Sequence, residues 1–140
     1  MRTWCAFLLG VVLTSCASPE RRYINLPGRP VQAPFSDGVL VGNTLYLAGR
    51  IGLDPQTGRP PADAVTEARI VLEQFRTVLA EGGMTMNDIV SVQVFCSDVA
   101  LFDTWNHVYR TFFSEPFPAR AFVGSGPLLF GARLDRKSVV

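Results

Sequence analysis

The chain has 140 residues, of which 48% are hydrophobic and 18% charged, enough apolar sequence for one compact domain with a substantial core. Its net charge of +1 at pH 7 argues against a nucleic-acid partner held through phosphate contacts. The three cysteines, Cys5, Cys16 and Cys96, have neither a metal-ligand spacing nor the even number of a disulfide framework. These features favour a small-molecule ligand and predict no metal site.

Residues 1–15 have the pattern of a signal peptide, because one positive charge at Arg2 is followed by an apolar run too short to span a bilayer. The run ends in Leu13-Thr14-Ser15-Cys16, which resembles the lipobox of bacterial lipoproteins. That resemblance implies lipidation of Cys16, which would be the only membrane attachment. Since Ala17 is not an acidic retention signal, we expect an outer-membrane lipoprotein facing the periplasm. The alternative is an uncleaved apolar arm on a cytoplasmic protein.

Residues 16–34 are predicted to be the lipidated N-terminus and a tether. Their prolines, glycine and charged residues are a composition that does not build a core. The folded domain is therefore predicted to span residues 35–140.

Two antiparallel strands are predicted first, because residues 39–51 contain two apolar runs around Gly42-Asn43, a glycine-first pair typical of a type II′ turn. Asp63 is the predicted N-cap of a helix whose apolar residues recur at intervals of three and four, and Gly82-Gly83 ends it. A third strand is predicted over residues 89–96, where valines alternate with polar residues.

A second helix is predicted from Ser97 or Asp98 until shortly before Pro116. It carries an aromatic stripe, expected in the core and made of Phe102, Trp105, Tyr109 and Phe112.

The next strand begins at Pro118, which places Arg120 and Phe122 on one face. A guanidinium at a strand end presents a fork of donors suited to a carboxylate or phosphate. The alternative is an ordinary surface arginine. A last strand is predicted between Leu128 and the C-terminus.

This order of elements predicts an α+β fold in which two helices cover one face of a mixed sheet. The other face would remain apolar and uncovered, which favours assembly with further copies of the chain.

The arrangement and five motifs resemble the RidA (YjgF/YER057c/UK114) family. The motifs lie at residues 33–38, 47–49, 54–58, 105–106 and 117–120, and the Pro118-Ala119-Arg120 block is the most specific. The resemblance implies a chorismate-mutase-like fold and a homotrimer with clefts between subunits. It also implies a deaminase that hydrolyses 2-imino acids, such as 2-iminobutanoate or 2-iminopropanoate, to 2-oxo acids and ammonia without a cofactor.

The resemblance also assigns site residues. Arg120 matches the arginine that clamps the substrate carboxylate, and Gly49 matches a glycine whose backbone lies against the ligand. Phe122 falls where a backbone carbonyl helps to hold the attacking water. Asn106 matches a site asparagine, although the sequence alone favours a polar flank of the aromatic helix. Asp135 stands where imine-hydrolysing members carry a glutamate that orients or activates water.

Three departures from the family pattern bear on activity. Asp135 keeps the carboxylate but shortens its reach by one methylene, while Phe35 and Ala48 replace a pocket tyrosine and a pocket serine. The cleft should therefore be more apolar and accept bulkier side chains. The same departures favour an alternative function, a membrane-anchored trimer that binds a small carboxylate such as a 2-oxo acid without efficient catalysis.

Two further residues are interpreted as structural. His107, the only histidine, is expected on the surface, and Cys96 is expected to be a small buried hydrophobe. A chaperone-like or ribonucleolytic activity, as proposed for some relatives, is disfavoured because the chain has no basic patch and no acid–base pair suited to RNA cleavage.

Overall fold

The computed structural model describes residues 18–28 and 33–140. The predicted signal peptide and the predicted lipidation site at Cys16 lie outside these residues. The strands and helices, in chain order, are β1 (Arg21–Ile24), β2 (Gly38–Val41), β3 (Thr44–Ile51), α1 (Ala64–Glu81), β4 (Ser91–Cys96), α2 (Phe102–Tyr109), β5 (Ala119–Gly124) and β6 (Leu134–Val139). Short 3-10 turns occupy Met86–Asp88, Val99–Leu101 and Leu129–Gly131.

The strands form one six-stranded sheet in the order β1-β2-β3-β6-β4-β5. Neighbouring strands are antiparallel except β4 and β5, which are parallel. The buried side chains of α1 and α2 join those of β3, β4 and β6 in one hydrophobic core. The predicted α+β class, with two helices on one face of a mixed sheet, is confirmed.

The β2–β3 hairpin turns at Gly42-Asn43, with Val41 paired to Thr44. Gly42 has a φ of 59°, and Asn43 does not share this left-handed conformation. A type II′ turn requires a positive φ at its first central residue only, so the predicted turn is confirmed.

The tether prediction is wrong at Arg21–Ile24, which form the edge strand β1 along β2. Ile24 is buried in the core, and Leu26 packs against it. The guanidinium of Arg22 donates to the carbonyls of Glu81 and Gly82 at the end of α1. The sequence did not indicate this strand, because its surroundings are rich in proline and a four-residue strand is too short to have a clear pattern of its own. It forms because β2 offers a free edge for pairing.

Helix α1 has the predicted boundaries. The Asp63 carboxylate accepts a hydrogen bond of 2.7 Å from the Thr66 N–H, and Gly82 is the C-cap. The predicted apolar residues of the helix are buried, namely Ala68, Val71, Leu72, Phe75, Val78 and Leu79.

The aromatic stripe of α2 is only partly in the core. Trp105 and Tyr109 are buried, but Phe102 is 43% exposed, and Phe113 rather than Phe112 completes the buried set. The helix ends at Tyr109, so the 3.6-residue period no longer determines which later side chains face inward.

The face of the sheet opposite the helices keeps exposed apolar side chains. Tyr46 on β3 is 51% exposed and Val123 on β5 is 45% exposed. Within the part of the chain that the structure describes, no helix combines the length and the hydropathy needed to cross a bilayer.

Candidate functional site

Arg120 lies on β5, the edge strand of the sheet, paired with Val92 of β4. Its side chain lies on the helix side, where the guanidinium carbon is 4.8 Å from the ring centroid of Tyr109 and 5.7 Å from that of Phe102. Phe122, two residues along the strand, meets the Phe102 ring edge to face at 5.2 Å. Cation–π contacts with two rings therefore hold the guanidinium in place.

No ion pair among residues 18–28 and 33–140 involves Arg120. The side chain is half-buried rather than fully exposed, which distinguishes it from an ordinary surface arginine. A guanidinium that is held by aromatic rings and has no acidic partner among the described residues suits bidentate binding of a carboxylate.

Asn106 lies on the same side of α2 as these rings. It follows Phe102 by four residues and precedes Tyr109 by three, a spacing that places all three on neighbouring parts of the helix surface. The side chain is half-buried. Arg120, Phe122 and Asn106 thus form one group of predicted site residues, at the helix-covered side of the β5 edge.

A second group surrounds Asp135, on the open face of the sheet. Asp135 pairs with Ile51 of β3 and Phe95 of β4. A Cβ added at Gly49 would lie 2.9 Å from Asp135 Oδ1, so glycine is required for the carboxylate to occupy this place. Ala48 is adjacent, in the irregular stretch between Leu47 and Arg50 where the pairing register shifts.

The surroundings of the Asp135 carboxylate make it a better proton acceptor than an exposed aspartate. Burial raises its pKa, and hydrogen bonds from the Arg136 and Arg50 backbones oppose this rise. Oδ1 is buried and has no hydrogen-bond partner in the described part of the chain. A carboxylate with a raised pKa and a free lone pair is suited to accept a proton from water.

The two groups do not meet within one chain. Arg120 is level with Val92 and Asp135 with Phe95 along β4, while β5 and β6 flank that strand on either side. The offsets are therefore roughly 10 Å along the strands and roughly 10 Å across them, and the side chains point to opposite faces. A pocket that contains both side chains requires a second copy of the chain.

Phe35, the remaining predicted site residue, precedes β2 and is 55% exposed.

Sequence reasoning missed the buried pair of Glu67 and Arg133. The Glu67 carboxylate accepts hydrogen bonds from the Arg133 backbone at 2.6 Å, from Arg133 Nε at 2.6 Å and from the Leu134 backbone at 3.0 Å. The pair fixes the start of β6 immediately before Asp135. A signal was present, since Glu67 precedes the core residues Val71 and Phe75 by one and two helical turns.

Sequence reasoning also missed Arg136, which is fully buried between β6 and the helices. Its guanidinium carbon is 4.2 Å from the Phe75 ring centroid and 5.5 Å from that of Phe113. Among the residues that the structure describes, none is a hydrogen-bond partner of its three guanidinium nitrogens. Burial lowers the pKa of Arg136 to about 9, which leaves it cationic at neutral pH.

His107 is exposed on α2, and Cys96 is fully buried, as predicted. The Cys96 thiol donates to the Asp98 carbonyl at 3.0 Å, and burial raises its pKa, which disfavours the reactive thiolate. Within the described residues, no cluster of three or more histidine, cysteine or acidic side chains is arranged to hold a metal ion.

Comparison with known proteins identifies the family. The model of the family described as Endoribonuclease L-PSP matches residues 27–135. The chain is 35% identical over 122 residues to the 2-iminobutanoate/2-iminopropanoate deaminase of Dermatophagoides farinae, covering 86% of this chain and 95% of that protein. It is 33% identical over 121 residues to the human protein of the same name, covering 85% and 88%.

Solved structures agree with this result. The crystal structure of RidA from the Antarctic bacterium Psychrobacter sp. PAMC 21119 has a TM-score of 0.74 at 32% identity, covering 79% of this chain and 90% of that one. The YjgF gene product of E. coli has a TM-score of 0.78 at 31% identity, covering 85% and 97%. The chain therefore belongs to the Endoribonuclease L-PSP family, the RidA (YjgF/YER057c/UK114) family that its motifs resemble.

Proposed function

We propose that this protein hydrolyses 2-imino acids to 2-oxo acids and ammonia. One water is consumed: its oxygen becomes the new carbonyl oxygen, and the imine nitrogen leaves as ammonia. The relatives named as 2-iminobutanoate/2-iminopropanoate deaminases support this reaction. The structural observation that carries the proposal is the half-buried guanidinium of Arg120, which contacts two aromatic rings and forms no ion pair among residues 18–28 and 33–140.

Arg120 binds the substrate carboxylate in a bidentate pair, which fixes the position of the neighbouring imine carbon. Asp135 accepts a proton from the water that attacks this carbon, and its raised pKa makes it a better base than an exposed aspartate. The Asp135 carboxyl returns this proton to the imine nitrogen. As the C–N bond of the tetrahedral adduct breaks, the hydroxyl proton also passes to that nitrogen, which leaves as ammonia, and the hydroxyl oxygen becomes the carbonyl oxygen. Both protons of the water therefore end on the nitrogen.

The active assembly is a homotrimer in which Arg120 of one copy and Asp135 of its neighbour share a cleft. Two observations support this arrangement. The two side chains point to opposite faces of one sheet, and the face without helices carries exposed apolar side chains such as Tyr46 and Val123.

The substrate side chain is apolar and larger than a methyl group. Phe102 and Phe122 lie beside the Arg120 guanidinium, and neither Phe35 nor Ala48 offers a hydroxyl to a polar substrate. Each additional methylene of the substrate that is buried against these apolar walls should strengthen binding by about 0.8 kcal/mol.

The test is ammonia release from imino acids generated in place by an amino-acid oxidase, with small and bulky substrates. Arg120→Ala should abolish the acceleration. Arg76→Ala is the matched control, because it removes an arginine that is 62% exposed on α1, away from the rings that contact Arg120. If no substrate is turned over while 2-oxo acid binding still depends on Arg120, the protein is the non-catalytic carboxylate-binding module instead.

The sequence also supports a location for this reaction, the periplasmic face of the outer membrane, with the chain attached through a lipidated Cys16. Mass spectrometry of the N-terminal peptide from the membrane fraction would detect the lipid. Cys16→Ala should release the protein from the membrane. An unmodified peptide that begins at Met1 would instead indicate the cytoplasmic alternative.

A further inference from the structure

We propose that Arg136 is an electrostatic positioning residue that strengthens the binding of anionic substrates at Arg120. The inference rests on the proposed function for the nature of the ligand, a small carboxylate. Arg136 does not touch that ligand. Its charge acts on the carboxylate through the aromatic core between the two arginines.

Arg136 is unusual as a core residue. It is fully buried, and within residues 18–28 and 33–140 none of its three nitrogens is hydrogen-bonded and no ion pair includes it. A buried cation without a counter-ion destabilises a fold, and an apolar side chain of similar volume is neutral or stabilising in such a place. Packing alone therefore does not account for an arginine at this position.

A continuous path of rings joins Arg136 to the candidate site. Arg136 lies 5.5 Å from the Phe113 ring, Phe113 stacks on Tyr109 at 4.2 Å, and Tyr109 lies 4.8 Å from the Arg120 guanidinium. Phe113 is 6% exposed and Tyr109 is 4% exposed, so water is excluded from most of the space between the two cations. Charges that act across such a region are weakly screened.

The Tyr109 hydroxyl is part of the same region. It is buried and has no hydrogen-bond partner among residues 18–28 and 33–140. Burial raises its pKa, and the positive charges of Arg136 and Arg120 oppose this rise. Both arginines therefore act on one buried ring. In the ligand-free protein the two cations repel each other, and a bound carboxylate relieves that repulsion.

The size of the effect follows from the strand geometry. Arg136 is level with Val94 and Arg120 with Val92, on strands either side of β4. The two arginines are therefore two residues apart along the strands and two strands apart across the sheet, which corresponds to a separation of about 12 Å. At an effective dielectric constant of about 20, a unit charge at that distance changes a carboxylate binding constant about tenfold.

The experiment compares binding of 2-oxobutanoate with that of its uncharged amide, measured by calorimetry on the intact protein. Arg136→Met should weaken binding of the acid about tenfold, leave binding of the amide unchanged, and leave the melting temperature equal or higher. Arg136→Lys keeps the charge and should restore most of the preference for the acid. Arg76→Met is the matched control, because it removes an arginine that is 62% exposed on α1, and it should change neither affinity.

The inference would be overturned if the ratio of the affinity for the acid to the affinity for the amide were the same in the wild type and in Arg136→Met. It would also be overturned if the Arg136→Met protein did not fold, since the guanidinium would then be structural. The proposed function fails separately. If the Arg120→Ala protein binds the acid as tightly as the wild type does, the carboxylate clamp is contradicted, whatever the result for Arg136→Met.

Discussion

The separation of Arg120 and Asp135 on opposite faces of one sheet makes a complementation experiment decisive. Two inactive proteins are needed, one with Arg120→Ala and one with Asp135→Asn. Each keeps the residue that the other lacks. If every site takes its arginine from one copy and its carboxylate from a neighbour, mixed trimers should regain activity although neither parent has any.

The expected recovery follows from the symmetry of a closed ring. A trimer that contains both kinds of chain has one boundary, of its three, at which an intact Arg120 faces an intact Asp135. About one-third of the wild-type activity per trimer should therefore return. The alternative, in which both residues of one chain serve one site, predicts no recovery, because each chain then carries a defect in its own site.

The assay requires the two variants to be co-expressed with different tags and purified through both tags in turn, so that trimers of one kind are removed. Ammonia release is then measured against each parent and against a doubly tagged wild type. A doubly tagged preparation that is trimeric but inactive would refute the assignment of the site to neighbouring copies. A third preparation, in which every chain carries both substitutions, should be inactive.

The remaining predictions concern the surroundings of Asp135. Gly49→Ala should lower kcat by about tenfold or more, because the new Cβ would lie 2.9 Å from Oδ1 and displace the carboxylate, and steady-state kinetics with unchanged unfolding would check this. Glu67→Gln should cost about 3 kcal/mol in urea unfolding by breaking a buried pair, whereas Glu73→Gln, at a carboxylate that is 42% exposed, should cost far less. Burial raises the pKa of Asp135 above its ordinary 3.8, so kcat/KM should fall with decreasing pH as this carboxyl is protonated, at a higher pH than for an exposed aspartate, while circular dichroism stays unchanged.

Most of the fold could be predicted from local patterns. The hairpin at Gly42-Asn43 and the limits of α1 each depend on a few neighbouring residues, a glycine with a positive φ in one case and an N-cap aspartate in the other. Strand β1 could not be predicted in this way. Its four residues become a strand because β2 offers a free edge, which is a property of the tertiary structure.

The site shows the same division. Arg120 could be predicted from the residues around Pro118, whereas the rings that hold its guanidinium belong to α2 and are known only from the packing. Glu67 and Arg136 lie at positions whose spacing predicts burial. Sequence reasoning missed them because charged residues are usually expected on the surface. The distribution of Arg120 and Asp135 over two faces follows from the sheet order, which propensities do not specify.

If Cys16 is lipidated as proposed, strand β1 would also limit the distance between the domain and the membrane. Had residues 16–34 been a free tether, a lipidated Cys16 would allow the domain to diffuse well away from the bilayer. Because Arg21 already belongs to the sheet, only four residues lie between it and Cys16, and the five steps from Cys16 to Arg21 span at most about 17 Å. A trimer attached at three such points would be held close to the bilayer, and its clefts would collect substrate from the solution near the membrane surface.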